Sequence, residues 1–179
     1  MSHKFENLKI LIIEDKEHMR ALLRRLLGHI GARVINEAND GQAALALLRD
    51  IECDLILTDM DMAPMDGLTF TRQVRASRAH AGLPIIMISG HTERAKVEAA
   101  RDAGVNEFLV KPVTPANLVS RITEIVERPR SFVQARSYSG PDRRRRQTAD
   151  YSGPDRRDGG GLAPRQEPAA PQGPAAPKA

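Results

Sequence analysis

The sequence predicts an α/β fold, a doubly wound and mostly parallel sheet of five strands, followed by a tail without ordered structure. Short apolar runs of strand length recur at regular distances, and stretches of helical periodicity separate them. The composition changes near residue 128, where prolines and arginines replace aliphatic residues. These observations divide the chain into a folded domain at 1–127 and a disordered tail at 128–179.

Five strands are predicted, at Ile10–Ile13, Val34–Ile35, Leu55–Leu57, Ile85–Ile88 and Phe108–Val110. Apolar residues at helical spacing follow each strand, at 19–27, 43–48, 68–74, 97–103 and 118–126. Strands joined by single helices require right-handed crossovers, so the sheet should be parallel and covered on both faces. The continuous apolar character of the first, third and fourth strands fits that arrangement.

Local signals support these boundaries. Gly31 and Gly104 stand where helices should end, and Asp40 and Thr114 are suitable N-caps. Pro115 then falls at the first helical position, where proline costs least.

The charge is unevenly distributed. Residues 1–127 hold 16 Lys and Arg against 18 Asp and Glu, whereas residues 128–179 hold 11 against 5, together with eight of the twelve prolines. The tail has too few aliphatic side chains to offset the entropy of ordering itself. We therefore expect it to remain disordered until a ligand binds.

Cys53 is the only cysteine, which excludes an internal disulfide and leaves no thiol cluster for a metal. The N-terminus lacks the apolar stretch of a signal peptide, and no apolar run approaches the roughly 18 residues of a membrane span. We expect a soluble cytoplasmic protein without a transmembrane segment.

Polar side chains follow four of the predicted strands at their carboxyl ends, where doubly wound sheets bind ligands. Glu14 and Asp15 follow the first strand, Asp59 the third, Ser89 the fourth and Lys111 the fifth. Three acids close together repel, and Mg²⁺ is the natural compensation. Asp59 would act as a nucleophile toward a phosphoryl group, Lys111 would neutralise charge, and Ser89 would hydrogen-bond to the product.

The alternative is that Glu14 and Asp15 only cap the first helix and that Lys111 is a solvated surface charge. Each residue taken singly favours that interpretation. Because four strand ends would then carry this set by accident, the combination favours a site.

Five segments resemble the CheY-like receiver domains of two-component signalling, over Lys9 to about Glu127. They are Ile12–Asp15, Leu57–Met62, Met65–Gly67, Ile88–Gly90 and Phe108–Pro112. The resemblance implies the flavodoxin-like fold with strand order 2-1-3-4-5.

The resemblance also implies a role for each matching residue. Asp59 is then the phosphoacceptor, Ser89 and Phe108 occupy the hydroxyl and aromatic switch positions, and Lys111 is the family's lysine. The implied Mg²⁺ ligands are Glu14, Asp15, Asp59 and Asp61, the last through its backbone carbonyl. The chain departs from the family at Ala63, where proline is usual and here follows one residue later, at Pro64.

The tail contains a duplication, in which seven residues at Tyr138–Arg144 recur at Tyr151–Arg157 with a period of thirteen. Paired arginines match phosphate or the O6/N7 edge of guanine, and tyrosine offers a stacking face. Both copies lack lysine, which favours bidentate recognition over general attraction to a polyanion. A ligand with two equivalent guanine halves, cyclic di-GMP, meets this description.

The segment 136–157 is similar to the arginine-rich extension of the Cle proteins, CheY-like cyclic di-GMP effectors of the flagellar motor. The implied nucleotide-binding residues are Tyr138, Asp142, Arg143, Arg144, Arg145, Arg146, Tyr151, Asp155, Arg156 and Arg157. The alternative is a solvated basic linker that attracts polyanions without specificity.

We therefore expect a single-domain response regulator with no DNA-binding or enzymatic output domain and no catalysis beyond its own phosphorylation and dephosphorylation. It would dock through the fourth and fifth helices and the last strand. By resemblance, its partners are a histidine kinase or phosphotransferase and the flagellar motor switch, with recruitment to the flagellated pole. Two alternatives stay open: a phosphotransfer intermediate with a spacer tail, and a nucleic-acid-binding adaptor.

Overall fold

The computed structural model describes residues 5–135 and 138–142. The sheet strands are β1 (Lys9–Ile13), β2 (Val34–Ala38), β3 (Leu55–Asp59), β4 (Ile85–Ser89) and β5 (Glu107–Val110). The helices are α1 (Glu17–His29), α2 (Gly41–Leu47), α3 (Gly67–Ala76), α4 (Arg94–Ala103) and α5 (Pro115–Glu127). The strands pair in parallel in the order β2-β1-β3-β4-β5, which confirms the predicted fold.

The sheet separates two apolar clusters because neighbouring strand residues point to opposite faces. Leu11 and Ile13 pack on one face with side chains of α2, α3 and α4, whereas Ile10 and Ile12 pack on the other with α1 and α5. All five residues of β3 and of β4 are buried, which explains their continuous apolar sequences. None of the helices in residues 5–135 combines the length and the apolar character that crossing a bilayer requires.

The residues predicted to begin and end the helices have those roles in the structure. The Asp40 carboxylate accepts hydrogen bonds from the first amides of α2, and the Thr114 hydroxyl accepts one from the Asn117 amide in α5. Pro115 is in the first turn of α5. Gly104 ends α4 with φ 95°, a left-handed conformation that favours glycine.

The prediction that disorder begins at residue 128 is wrong for the part of the tail that the structure describes. Strands β6 (Phe132–Ala135) and β7 (Tyr138–Pro141) form an antiparallel pair after α5. The Asp142 amide continues the pairing by donating to the Ser131 carbonyl, at 2.7 Å. Residues 143–179, also predicted to be disordered, lie outside the described residues.

Arg75 on α3 joins this hairpin to the domain. Its side chain is 3% exposed, its guanidinium carbon lies 5.8 Å from the centroid of the Phe132 ring, and its carbonyl accepts a hydrogen bond from the Ser139 hydroxyl at 3.1 Å. The guanidinium donates to the Gly104, Ala81 and Leu83 carbonyls and to Asn106 Oδ1. Burial lowers the pKa of Arg75 to about 10, which leaves it charged at neutral pH.

Candidate functional site

The carboxyl ends of β1 and β3 bring three acids together. Glu14 is fully buried, Asp59 is 2% exposed, and Asp15 is exposed. One carboxylate oxygen from each lies within 4.8 Å of the others. The predicted convergence of Glu14, Asp15 and Asp59 is therefore present.

Lys111, just after β5, reaches into this cluster. Its Nζ atom lies 2.8 Å from Asp59 Oδ1 and 3.2 Å from Glu14 Oε2. Burial lowers the pKa of Lys111, but the hydrogen bonding and charge of Asp59 and Glu14 outweigh burial and raise it overall. The lysine is therefore a cation within the site and not a solvated surface charge.

Glu14 lies in the least solvated position of the cluster. Burial raises the pKa of Glu14, repulsion from Asp59 raises it further, and Lys111 opposes both effects. Arg20 fixes the backbone here by donating to the Glu14 carbonyl at 2.8 Å. The N-cap of α1 is Lys16, whose side chain makes no capping hydrogen bond, and Glu14 Oε1 accepts a hydrogen bond from the Lys16 amide at 3.3 Å. Because Glu14 also contacts the Lys111 ammonium, its role is not restricted to the start of the helix.

The cluster has the chemistry of a divalent-cation site. Its three carboxylates provide the hard oxygen donors that Mg²⁺ prefers. The buried Asp59 Oδ1 lies 2.8 Å from the Lys111 ammonium and has no other hydrogen-bond partner among the described residues. A buried carboxylate oxygen with so few hydrogen-bond partners is a suitable metal ligand, so Glu14, Asp15 and Asp59 fit the predicted Mg²⁺ ion.

Ser89 ends β4, the neighbour of β3, and its side chain is buried. Its hydroxyl accepts a hydrogen bond from the His91 amide at 3.1 Å and contacts the Met60 sulfur at 3.6 Å. Phe108 on β5 is half-buried and packs against the apolar cluster beneath α3 and α4. Its predicted role as a switch stays a prediction.

Asp61 contacts two basic side chains, which sequence reasoning missed. His91 Nε2 lies 3.3 Å and Lys96 Nζ 3.7 Å from its carboxylate, whose side chain is 52% exposed. The Asp61 side chain is not part of the three-acid group, and its predicted backbone ligation stays a prediction. Only the position of His91 two residues after Ser89 could have suggested this contact.

The predicted nucleotide site is described only in part. Tyr138 is half-buried, and its hydroxyl donates to the Pro141 carbonyl at 2.7 Å. Asp142 directly follows β7. The remaining predicted residues lie outside the described residues: Arg143, Arg144, Arg145, Arg146, Tyr151, Asp155, Arg156 and Arg157.

Residues 10–123 match the family model of the response regulator receiver domain. The chain belongs to this family. It is 37% identical to chemotaxis protein CheY-3 of Vibrio cholerae over 123 residues, 69% of this chain and 95% of that protein. It is also 37% identical to chemotaxis protein CheY of Pseudomonas aeruginosa over 121 residues, 68% of this chain and 98% of that protein.

A solved structure also supports the receiver fold. The Vibrio cholerae chemotaxis protein CheY4 superposes with a TM-score of 0.63 at 28% identity, covering 66% of this chain and 98% of that one. Receiver domains bind Mg²⁺ at an acidic pocket, which here corresponds to Glu14, Asp15 and Asp59. Receivers of the CheY type interact with kinases and with other proteins. The family match ends at residue 123, before the hairpin.

Proposed function

We propose that this chain is a response regulator of chemotaxis signalling that accepts a phosphoryl group on Asp59. The observation that carries the proposal is the position of Asp59, buried beside two further acids with Lys111 Nζ 2.8 Å from Oδ1. The chemotaxis proteins to which the chain is similar support the pathway.

In the proposed reaction an Asp59 carboxylate oxygen attacks the phosphorus of the donor. The new oxygen–phosphorus bond forms as the bond to the leaving group breaks, and the leaving group keeps that electron pair. The Lys111 ammonium faces the charge on the phosphoryl oxygens. Ser89 can donate to one of them, because the Met60 thioether it now contacts is only a weak acceptor. Mg²⁺ held by Glu14, Asp15, Asp59 and the Asp61 carbonyl would supply further charge neutralisation.

Incubation with Mg²⁺ and a small phosphodonor tests this assignment. We expect wild-type protein to gain one phosphoryl group by intact mass and Asp59→Asn to gain none. Asp66→Asn is the matched control, because Asp66 caps α3 outside the acid cluster and asparagine can also cap. Undiminished labelling of Asp59→Asn would remove Asp59 from the proposal.

We further propose that the arginine-rich tail binds cyclic di-GMP. The duplicated seven-residue unit supports a ligand with two equivalent halves, and arginine without lysine supports recognition of guanine edges and phosphates. The first unit begins within β7, next to the receiver.

Calorimetric titration of cyclic di-GMP into the full chain tests this second part. We expect binding to be lost when Arg143, Arg144, Arg156 and Arg157 become alanine. A control variant replaces the exposed receiver arginines Arg72 and Arg78 and should bind like wild type. Equal binding by the tail variant would discard the nucleotide proposal. Binding to RNA that cyclic di-GMP does not displace, and that weakens steadily with salt, would favour the nucleic-acid adaptor.

The proposed output is docking on a protein, for which the flagellar motor switch is the candidate and the flagellated pole the expected place. The face near Phe108 supports docking, because Val97 on α4 and Val110 on β5 are each 38% exposed. The phosphoryl donor would be a histidine kinase or phosphotransferase. Val97→Asp with Val110→Asp should abolish binding to purified switch protein without affecting phosphorylation. Transfer from Asp59 to a phosphotransferase histidine, with no switch binding, would favour the phosphotransfer intermediate.

A further inference from the structure

The first copy of the duplicated motif contacts a defined surface of the receiver, which we call the motif platform and which consists of Arg75 and Gly104. The Ser139 hydroxyl donates to the Arg75 carbonyl at 3.1 Å. Gly140 approaches Gly104 backbone to backbone. These contacts place Tyr-Ser-Gly-Pro against the ends of α3 and α4.

The platform selects glycine at the third position of the motif. A Cβ atom on Gly140 would lie 2.7 Å from Gly104 Cα and 2.6 Å from the Tyr138 hydroxyl, closer than real Cβ contacts. Gly104 is equally restricted, since its Cβ would lie 2.4 Å from the Ser139 carbonyl oxygen. Neither backbone atom can move aside as a flexible side chain would.

The second copy has every residue that makes these contacts. Tyr151, Ser152, Gly153 and Pro154 repeat the four residues of β7 in order. Deleting one period, residues 138–150, would place Tyr151 directly after Ser137 and restore the same seven-residue sequence. The two copies therefore differ as platform ligands only in the loop that joins each one to β6.

Loop length explains why the first copy occupies the platform. Ala135 pairs with Tyr138 across two intervening residues, whereas the loop from Ala135 to Tyr151 contains 136–150. Closing the longer loop costs more chain entropy, which disfavours the second copy.

We propose that the motif platform is a receptor for the Tyr-Ser-Gly-Pro motif and that Tyr151–Pro154 binds it in cis whenever Tyr138–Pro141 leaves. The inference does not depend on cyclic di-GMP. The docked copy contributes Tyr138 and Pro141 to the wall of a groove of about 190 Å³, which Phe108 and Val97 also line. Because the two copies are interchangeable, the groove keeps this wall when a ligand binds one copy. It loses the wall only when both copies are bound by a ligand elsewhere.

The two tyrosines of the chain head the two copies, so fluorine NMR of the full chain labelled with 3-fluorotyrosine reports on each copy separately. The reference for a docked Tyr151 is the variant lacking residues 138–150. In Gly140→Ala we expect Tyr138 to lose its docked signal and Tyr151 to gain the reference signal. Gly153→Ala, the matched control, should leave the Tyr138 signal unchanged, and the double variant should show neither tyrosine docked.

A Gly140→Ala spectrum identical to that of the double variant would overturn the proposal, because the platform would then be empty despite an intact second copy. A docked Tyr138 signal in Gly140→Ala would also overturn it, since the selection for glycine would be absent. Thermal unfolding of each variant, followed by circular dichroism, verifies that the receiver itself stays folded.

Discussion

Lys111 Nζ lies 2.8 Å from Asp59 Oδ1, and the same nitrogen lies 3.2 Å from Glu14 Oε2. One ammonium thus faces two buried carboxylates, while the third acid, Asp15, is exposed. Three carboxylates and one lysine leave an excess of negative charge, which a divalent cation can offset. Lys111 therefore stabilises the site without removing its attraction for a metal.

Lys111→Met should slow phosphorylation of Asp59 by a small phosphodonor roughly 100-fold, the usual cost of losing one charge-stabilising donor. The same change should tighten Mg²⁺ binding, because the acids lose their neighbouring cation. Rates come from intact mass against time and affinities from calorimetry. Lys96→Met is the control, since Lys96 lies 3.7 Å from Asp61 at the edge of the site and should affect both quantities little. An unchanged rate in Lys111→Met would exclude a role for this lysine in the reaction.

Glu14→Gln should raise the melting temperature of the protein in EDTA while abolishing Mg²⁺ binding. Burial and the charge of Asp59 raise the pKa of Glu14, so its ionisation destabilises the folded metal-free state. The stability associated with a raised pKa is fully present below the unfolded value of 4.5 and is lost as pH rises through the folded value. The gain from Gln should therefore be present at pH 7 and disappear near pH 4.5.

Asp15→Asn is the matched control for this experiment, because the Asp15 side chain is exposed. It should weaken Mg²⁺ binding without a comparable rise in the melting temperature measured in EDTA. Equal stabilisation by the two variants would show that burial of Glu14 is not the cause.

The sequence predicts the sheet and the acid cluster because both depend on local rules. Buried parallel strands form continuous apolar runs, and their carboxyl ends meet at one edge, so Asp59, Ser89 and Lys111 can be assigned together. The caps Asp40 and Thr114 are equally local, since each bonds amides within three residues.

The hairpin could not be predicted in the same way. Three of the four residues of Phe132–Ala135 are exposed, and the Gly-Pro pair in Tyr138–Pro141 is typical of a turn. The hairpin instead depends on contacts with Gly104 and Arg75, which are far from it in the sequence. An arginine such as Arg75 is normally expected at the protein surface. The pairing of His91 with Asp61 likewise depends on the conformation of the loop before α4.

Arg75→Met should lower the free energy of unfolding by about 3 kcal/mol, because it removes the donor from the buried Gly104 carbonyl and from the part-buried Ala81 and Leu83 carbonyls. Arg75→Lys should recover only part of this loss, since an ammonium lacks the planar fork of a guanidinium. Urea unfolding followed by circular dichroism measures both. Arg72→Met, on the exposed side of the same helix, should change the free energy by less than about 0.5 kcal/mol. Similar losses in the Arg72 and Arg75 variants would contradict the role assigned to the buried guanidinium.

Cys53 provides a pH test of the folded domain, because it is the sole cysteine. Burial raises the pKa of its thiol from 9.0 to about 11, and its sulfur lies 3.3 Å from the Leu55 carbonyl oxygen. At pH 8 the folded protein should react with iodoacetamide about 100-fold more slowly than urea-unfolded protein, in proportion to the thiolate fraction. The stability associated with the protonated thiol is complete below pH 9 and is lost as pH rises through about 11. Between pH 9 and about 11 the melting temperature of the wild type should therefore fall more steeply with pH than that of Cys53→Ala. Equal slopes would show that this thiol is not buried in solution.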